Sequence, residues 1–459
     1  MSNNTRRDAI KKMGFLAMGA GFTNSVFSTS PDKYLPIEPY FPKKYKKPDK
    51  PITAIVLGAG NRGNVYASYA KKFPDELKIV GVAEPIPHKN ERFAKMYDIP
   101  DKHRFPSWDN ALDVPKFADA IIITTPDALH YGPAMQGLPM GYDCILEKVI
   151  AQTWKECNDI LKVAQKYKNI VAVCHVMRYM PYFRKLKEIC NSGILGDIVS
   201  VQHLEPVEHI HMSHSFVRGP WRNTKESNPM ILSKSCHDTD ILRWLINKEA
   251  IKVSSFGGLS HFKKENAPEG STKRCTGGCK IERDCPYSAI KVYYERGGYL
   301  GHLNLKDGSK EEIMEKLKTT QYGHCVYKTD NDVVDHQLCN FEFENGITAA
   351  FSMESLTHYG GRRTRFMGSM GHLFGDEKDI EYMDFRTRKI TRWNISEANI
   401  TSGHGGGDFG LVRDFIQASS HNDPSLLTST IEASMESHLM GFKAEESRYK
   451  GGELIEFRI

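Results

Sequence analysis

ITAIVLGAGNRG, residues 52–63, decides the fold of this chain. Its first half is a continuous apolar run that predicts a buried β-strand. Its second half has the G-x-G-x-x-G spacing that opens a helix in dinucleotide-binding domains. Gly58 permits the tight turn, Gly60 lets the backbone approach a pyrophosphate, and Gly63 lets the following helix pack closely. The amides at the start of that helix then face the phosphates.

The residues after the glycines fit the same interpretation. Residues 65–73 suit a helix, and residues 77–83 predict a second strand that leads into Glu84. A carboxylate about 20 residues past the glycines accepts hydrogen bonds from the adenosine ribose and repels a 2′-phosphate, so NAD is favoured over NADP. The alternative is a turn without a ligand, beside a solvent-facing Glu84.

Further apolar runs predict the rest of a parallel sheet. The run 117–125 suits a central strand. Thr125, Pro126 and His130 lie at its carboxyl end and just beyond, where open α/β sheets bind their ligands. Two more strands are predicted at residues 142–146 and 170–174.

The character of the sequence changes beyond about residue 176. Short alternating patterns predict a second, largely antiparallel domain, interrupted by a long insertion at about 260–335 that contains a cysteine cluster. The predicted fold class is therefore α/β. An N-terminal Rossmann domain with a doubly wound parallel sheet spans 51–175, and a C-terminal α+β domain with an open, largely antiparallel sheet spans 176–459. The alternating patterns lie at residues 198–204, 253–259, 337–343, 347–353 and 364–367.

The N-terminus resembles a twin-arginine export signal. Arg6 and Arg7 precede a short, weakly apolar segment within residues 1–30, and a Pro- and Lys-rich linker follows at 31–50. The segment is too short to span a membrane, and no other stretch is suited to do so. The protein is therefore expected to be periplasmic or otherwise exported, or cytoplasmic if the segment is only a basic tail. Because free NAD is scarce outside the cytoplasm, export favours a tightly bound cofactor.

The length of the chain limits the number of domains, and its charge distribution bears on the class of partner. The 459 residues suffice for two or three domains, each with its own core. Residues 1–30 account for half of the net charge of +6, and the remaining charges are interspersed. Nucleic-acid binding therefore has no support.

Several motifs together resemble the Gfo/Idh/MocA family, the relatives of glucose-fructose oxidoreductase and inositol dehydrogenase. The resemblance covers about residues 50–450. It implies a Rossmann domain, an open-faced α/β substrate domain, NAD(P), sugars or cyclitols as substrates, and homo-oligomers that assemble through the sheet face. The motifs are the glycine turn, Thr125-Pro126-Asp127 with His130, Glu147-Lys148, and the run 237–245.

The resemblance also implies catalytic roles. The family places a lysine after a glutamate near the nicotinamide and a histidine at the start of a second-domain helix, which are Lys148 and His237 here. Two residues depart from the family's pattern: Val149 stands where a proline is expected, and Ser233 where an aspartate is common. Since the hydroxyl of Ser233 cannot act as a carboxylate, another group is expected to relay the proton or orient His237. The candidates are Lys234, Asp238 and Asp240.

The same pair suits hydride transfer on chemical grounds. A base must take the hydroxyl proton as the C–H bond breaks, and the pKa of histidine lies near working pH. Lys148 can hydrogen-bond the same oxygen and stabilise the developing alkoxide. The alternative for His237 is a core histidine, because it shares a helix face with Ile241 and Trp244.

The motifs predict one set of residues that contact the cofactor and another that contacts the substrate. For Arg178 and Tyr179, at the expected domain junction, packing between domains is the alternative to substrate binding. For the loop with Trp221 and Arg222, which suit sugar hydroxyls and a pyranose face, the alternative is an exposed loop without a ligand. The expected cofactor contacts are Gly58, Gly60, Asn61, Arg62, Gly63, Glu84, Thr125, Pro126, His130, Glu147 and Lys148. The expected substrate contacts are Arg178, Tyr179, Trp221, Arg222, Lys234 and Asp240.

Cysteines cluster in the insertion. Cys275, Cys279 and Cys285 have the close spacing of a structural metal site, and a closed zinc site needs a fourth ligand, which Cys325 or a nearby histidine can supply. Structural zinc on these four cysteines is one interpretation. Disulfides and free thiols are the others.

Three functions fit these observations. The first is an exported NAD-dependent oxidoreductase that acts on a secondary hydroxyl of a sugar or glycoside by hydride transfer. The second is a redox-neutral glycosidase or lyase, in which bound NAD oxidises a ring carbon, the leaving group departs and the hydride returns. The third is a nonenzymatic sugar-binding protein, for which Val149 and Ser233 are the main support.

Overall fold

The computed structural model describes residues 34–37, 45–395 and 403–458. The expected signal at 1–30 and most of the expected linker at 31–50 lie outside the described residues. From Leu35 onward the described residues form one compact unit. None of their helices combines the length and the apolar character that crossing a bilayer requires.

The chain alternates strands and helices first and is richer in strands later. The strands of the described residues are β1 (Tyr34–Ile37), β2 (Ile52–Leu57), β3 (Leu77–Ala83), β4 (Arg104–Phe105), β5 (Ala120–Ile123), β6 (Asp143–Leu146), β7 (Val171–Val173), β8 (Ile198–Pro206), β9 (Ala250–Gly258), β10 (His336–Phe343), β11 (Thr348–Glu354), β12 (Arg363–Gly368), β13 (Gly371–Gly375), β14 (Asp379–Asp384), β15 (Ile390–Ile395) and β16 (Ile455–Glu456). Their α-helices are α1 (Asn61–Lys72), α2 (Pro87–Met96), α3 (Trp108–Leu112), α4 (Tyr131–Gly137), α5 (Trp154–Tyr167), α6 (Pro181–Asn191), α7 (His209–His211), α8 (Met230–Ser233), α9 (Cys236–Ile246), α10 (Lys310–Thr319), α11 (Gly407–His421) and α12 (Ile431–Tyr449).

Strands β2 to β7 form a parallel sheet in the order β4-β3-β2-β5-β6-β7. Apolar clusters cover both of its faces, which explains why its central strands are continuous apolar runs. The strand order changes direction between β2 and β5, so the turn after β2 lies at the switch point where α/β sheets bind ligands. The predicted doubly wound sheet is confirmed, although β5 is shorter than the apolar run 117–125.

The second sheet has ten strands, in the order β1-β15-β14-β13-β12-β8-β11-β10-β9-β16. From β15 to β16 every neighbouring pair is antiparallel except β8 with β11, which is parallel. Helices α9 and α12 pack against this sheet, and Phe256 and Leu338, paired across β9 and β10, are exposed. The predicted open, largely antiparallel sheet is confirmed, and assembly of copies through it stays a prediction.

Helix α11 returns from the end of the chain to the first sheet. Its residues Leu411, Val412, Phe415 and Ile416 are fully buried in the apolar cluster that also contains Val56 of β2. Residues close to the C-terminus therefore complete the core around the first sheet.

The insertion at 260–335 has a small core of its own. Ile313 and Leu317 of α10 pack there with Val292, Tyr293 and Leu303. The insertion is therefore an ordered element rather than an extended loop.

Candidate active site

The turn after β2 has the geometry that the sequence predicts for its glycines. Gly58 has a φ of +99°, and a Cβ there would lie 2.7 Å from the carbonyl oxygen of Thr124. A Cβ on Gly63 would collide with the carbonyl of Gly58, so α1 packs tightly against the turn. A Cβ on Gly60 would meet no protein atom within 4 Å. Gly60 is thus the glycine that faces open space, just before α1.

Glu84 lies against the same turn. Its carboxylate is buried and accepts hydrogen bonds from the backbone N–H groups of Ala59, at 2.9 Å, and Ile86, at 3.0 Å. The alternative of a solvent-facing Glu84 is therefore wrong. An acid at the end of the second strand, beside the glycine turn, is placed where dinucleotide sites bind a ribose.

Arg62 joins three parts of the chain. Its Nε donates to Glu147 after β6 at 2.7 Å, its Nη2 donates to Asp408 of α11 at 2.6 Å, and Tyr66 contacts both the guanidinium and Glu147. Burial works to raise the pKa of the two carboxyls, but hydrogen bonds and nearby cations outweigh it. The pKa of Glu147 lies below its ordinary value, and that of Asp408 is about 2. This network fixes the end of β6 beside the glycine turn.

Lys148 and His237 come from different domains and meet at this point. Lys148 follows Glu147, and its Nζ donates to the carbonyl oxygen of Ser233 at 2.5 Å, four residues before His237. The peptide bond between Lys148 and Val149 is cis. The two side chains predicted to be catalytic are thus brought together at the carboxyl ends of the first sheet.

His237 is a neutral imidazole at neutral pH. It is 8% exposed. Burial holds the pKa of His237 well below its ordinary value, and the nearby positive charge of Lys148 lowers it further. A neutral ring has a lone pair that can accept a proton, but the lowered pKa makes it a weaker base than the sequence-based expectation of a pKa near working pH.

The candidates for a relay to His237 are engaged elsewhere. Asp238 accepts a hydrogen bond from Arg362 Nε at 2.5 Å, and Lys234 Nζ lies 3.0 Å from Glu205. The Nδ1 atom of His237 is buried and has no hydrogen-bond partner. None of these groups therefore bonds Nδ1 of His237, and the relay or orienting role expected of them stays a prediction.

Arg178, Tyr179 and Asp240 face the interior. Arg178 donates to both carboxylate oxygens of Asp240, at 2.8 and 2.7 Å, and both side chains are buried. The hydroxyl of Tyr179 accepts from the backbone N–H of Ser429 at 3.0 Å. Packing between domains, the alternative that the sequence leaves open, accounts for these contacts.

Trp221 and Arg222 take different places. The indole N–H of Trp221 donates to the carboxylate of Asp127, after β5, at 3.2 Å. Arg222 is held by Asp330 of the insertion at 2.7 Å and by Glu226 at 3.0 Å. Trp221 thus stands at the carboxyl end of the first sheet, whereas Arg222 is tied to the insertion.

His130 links the ends of two neighbouring strands. Its Nδ1 lies 2.6 Å from the carbonyl oxygen of Val149, and its Nε2 lies 3.0 Å from that of Thr125. Thr125 and Pro126 are therefore held next to the segment that carries Lys148.

Two histidines at the site were not predicted. His404 has its Nδ1 3.1 Å from Asp408, and its ring centre lies 6.3 Å from that of His237. His302 of the insertion has its Nε2 3.0 Å from the Nδ2 atom of Asn61 in the glycine turn. No sequence signal links His302 to the turn.

The four cysteines expected as zinc ligands line one pocket. They are free thiols, so the disulfide alternative is not formed. Within the described ranges, no group of three or more His, Cys, Asp or Glu side chains is already arranged to hold a metal ion. The four thiols share a pocket without the closed geometry that the zinc interpretation predicts. The cysteines are Cys275, Cys279, Cys285 and Cys325.

The sequence is similar to several oxidoreductases. It is 23% identical over 370 residues to a Bacillus subtilis protein named as the oxidoreductase YteT, covering 75% of this chain and 83% of that protein. It is 24% identical over 211 residues to scyllo-inositol 2-dehydrogenase (NAD(+)) of Bacillus subtilis, covering 45% and 58%. It is also 24% identical over 217 residues to 2,7-anhydro-N-acetylneuraminate hydratase of Mediterraneibacter gnavus, covering 46% and 53%. The chain thus spans just over half of the length of the last two.

Solved structures share the fold. The inositol dehydrogenase homolog from Azotobacter vinelandii, complexed with NAD+, superposes with a TM-score of 0.65 at 14% identity, over 90% of this chain and 99% of that one. The WlbA dehydrogenase of Chromobacterium violaceum, in complex with NADH and UDP-GlcNAcA, gives 0.62 at 15% identity, over 90% and 99%.

Family models match most of the chain. Residues 52–175 match the NAD-binding Rossmann fold of the oxidoreductase family, and residues 187–452 match its C-terminal alpha/beta domain. The glycine turn, Glu84, Lys148 and His237 all lie within these two matches. The chain therefore belongs to the Gfo/Idh/MocA family of NAD-binding oxidoreductases.

Proposed function

We propose that this protein transfers a hydride between NAD and a secondary hydroxyl of a sugar or glycoside. The observation that carries the proposal is the meeting of Lys148 with the neutral imidazole of His237 beside the glycine turn. Bound NAD+ supplies the hydride acceptor. The proton and the charge on the substrate oxygen are handled by side chains of the chain itself.

His237 takes the proton in this proposal. As the substrate C–H bond breaks, the hydroxyl proton passes to the imidazole, and the alcohol becomes a carbonyl. Lys148 donates a hydrogen bond to the same oxygen and stabilises the negative charge that develops there. Arg62 and Glu147 hold the backbone at Lys148 in place, because Glu147 Oε2 also accepts the N–H of Lys148 at 2.9 Å.

Four observations support a carbohydrate substrate. One similar protein is named scyllo-inositol 2-dehydrogenase, and one similar structure holds UDP-GlcNAcA. Trp221 stands near the end of the first sheet, and an indole ring can stack on the apolar face of a pyranose. The polar pair of Lys234 and Glu205 can bond hydroxyl groups.

The cofactor is proposed to be NAD rather than NADP, and to be tightly held. Glu84, buried beside the turn, would repel a 2′-phosphate. His302 contacts Asn61, and a Cβ on Gly301 would lie 2.9 Å from the Asn61 side chain, so the insertion packs closely against the start of α1. These contacts support the proposal that the insertion slows the release of a dinucleotide bound at the turn.

His302→Ala is expected to speed cofactor loss about fivefold, because it removes one hydrogen bond between the insertion and the turn. Retained NAD is measured after timed dialysis by denaturing the protein and quantifying the nucleotide. His421→Ala, at the far end of α11, is the matched control and should lose NAD at the wild-type rate. Equal rates for all three proteins would remove the insertion from cofactor retention.

A redox-neutral elimination or hydrolysis is the second candidate function. It is favoured by similarity to a protein named 2,7-anhydro-N-acetylneuraminate hydratase. The site also holds more histidines than a simple hydride transfer uses. His175 and His404 have ring centres 6.1 and 6.3 Å from that of His237. His175 is fully buried and its pKa lies well below the ordinary value, so of the two His404 is the group that can exchange a proton with a substrate.

One experiment separates the candidates. The protein is purified with the cofactor that it retains, glycosides and cyclitols are added, and reduced nicotinamide and released products are followed together. Stoichiometric reduction supports the dehydrogenase, whereas product release without net reduction supports the redox-neutral path. Bound NAD without any reaction would favour the nonenzymatic sugar-binding protein, and absence of both bound and titratable NAD would overturn the proposal.

Export through the twin-arginine signal and assembly into homo-oligomers are part of the same proposal. Arg6 and Arg7 support export. Export is tested by fractionating cells that express either the wild-type chain or the double variant Arg6→Lys, Arg7→Lys. We expect only the wild type outside the cytoplasm, and finding both proteins in the cytoplasm would contradict export. Light scattering of the purified protein tests the oligomer.

A further inference from the structure

Two segments of the insertion hold the four cysteines around one pocket. The backbone N–H of Cys275 donates to Gly323, and that of Cys325 donates to Lys273, both at 3.0 Å. These bonds place the two segments side by side. Cys279 and Cys285, on the loop that follows Cys275, line the same pocket.

Arg218 is a buried cation at this pocket. It is 1% exposed, and its guanidinium donates to the carbonyl oxygens of His324 and Tyr287, each at 2.7 Å, and to the sulfur of Cys275 at 3.8 Å. Its Nη1 atom is buried and has no hydrogen-bond partner. Glu282 also lines the pocket, but its carboxylate accepts a hydrogen bond from Ser288 and forms no ion pair with Arg218.

The positive charge of Arg218 favours one of the three states open to the four cysteines, which are free thiols, disulfides and metal-bound thiolates. A buried guanidinium without an anion is costly. Without a metal, four protonated thiols carry no charge. Two disulfides would be neutral as well. Four thiolates around a divalent metal retain a net negative charge, which would offset the guanidinium.

We propose that Cys275, Cys279, Cys285 and Cys325 bind one structural Zn²⁺ and that Arg218 balances the charge of this centre. The sulfurs are not at ligand spacing, so binding must bring them closer together, and the loop between Cys275 and Cys279 is the segment proposed to move. Its Gly278 has a φ of +73°, and a Cβ there would meet no atom within 4 Å, which leaves the loop room to move. The zinc would stiffen the insertion, and His302 of the insertion contacts Asn61 of the cofactor turn.

The wild-type protein decides the proposal without any activity measurement. Protein purified without chelators is analysed by elemental mass spectrometry, and thiols are counted after denaturation with and without a chelator. We expect about one zinc per chain and four thiols that react only after the metal is removed. Iron in place of zinc, disulfides, or four reactive thiols without metal would each overturn the proposal.

Two variants test the ligands and the charge. Cys279→Ser is expected to lose zinc at least tenfold more readily in competition with a chelator, whereas Cys190→Ser, on α6 and outside the pocket, should behave as wild type. Arg218→Gln keeps hydrogen-bonding groups and removes the charge, so zinc should be lost several-fold more readily. Unchanged retention in Arg218→Gln would overturn the proposed charge balance.

Discussion

Replacement of Lys148 by methionine is expected to reduce turnover at least about 100-fold. The Nζ atom of Lys148 is the proposed donor to the substrate oxygen, and its positive charge acts on His237, so its loss removes the proposed stabilisation of the alkoxide. Methionine has nearly the same length and leaves the packing in place. NAD binding should persist, because the glycine turn and Glu84 are unchanged.

The measurement combines steady-state turnover with the amount of NAD retained per chain. Lys155→Met is the matched control, since Lys155 is 82% exposed and pairs only with Asp159 on the surface of α5. It should retain wild-type turnover. If Lys148→Met also turned over at the wild-type rate, Lys148 would be excluded from the reaction.

Replacement of Arg178 by methionine is expected to destabilise the protein by about 3–5 kcal/mol, because it leaves Asp240 buried without its partner. The melting temperature should fall by about 5 °C. Differential scanning calorimetry of the purified variant measures the change. The double variant Arg178→Met with Asp240→Leu should recover part of the loss, since it removes the unpaired charge.

Arg386→Met is the control for Arg178→Met. Arg386 forms an ion pair with Asp384, but its side chain is 53% exposed, so the variant should melt at nearly the wild-type temperature. If Arg178→Met were as stable as the wild type, the sequence-based hypothesis that Arg178 contacts the substrate would be restored. In that case Arg178→Met would keep its stability and raise the KM for the sugar.

The first domain was predictable because its signals are local. A strand, a glycine turn and a helix follow one another directly, so Gly58, Gly63 and Glu84 could be placed from spacing alone. The ends of strands were less certain. β5 ends at Ile123, although the apolar run continues through Thr125, because hydrogen bonding and not apolar character sets the length of a ladder.

The rest of the site depends on contacts between distant residues. Asp408 meets Arg62 across a sequence separation of 346 residues, and His302 meets Asn61 across 241. No local pattern reports such a partner. The inward direction of Arg178 likewise depends on Asp240, so the sequence could locate the domain junction but could not decide which side chains face the cleft.

The return of α11 to the first sheet has a consequence for biosynthesis. The apolar flank of β2 stays uncovered until residues 407–421 have left the ribosome, so the N-terminal portion cannot complete its folding during translation. Contacts that span most of the chain also slow folding. A nascent chain of this kind depends on chaperones for protection from aggregation, and a chain truncated before residue 407 should be insoluble.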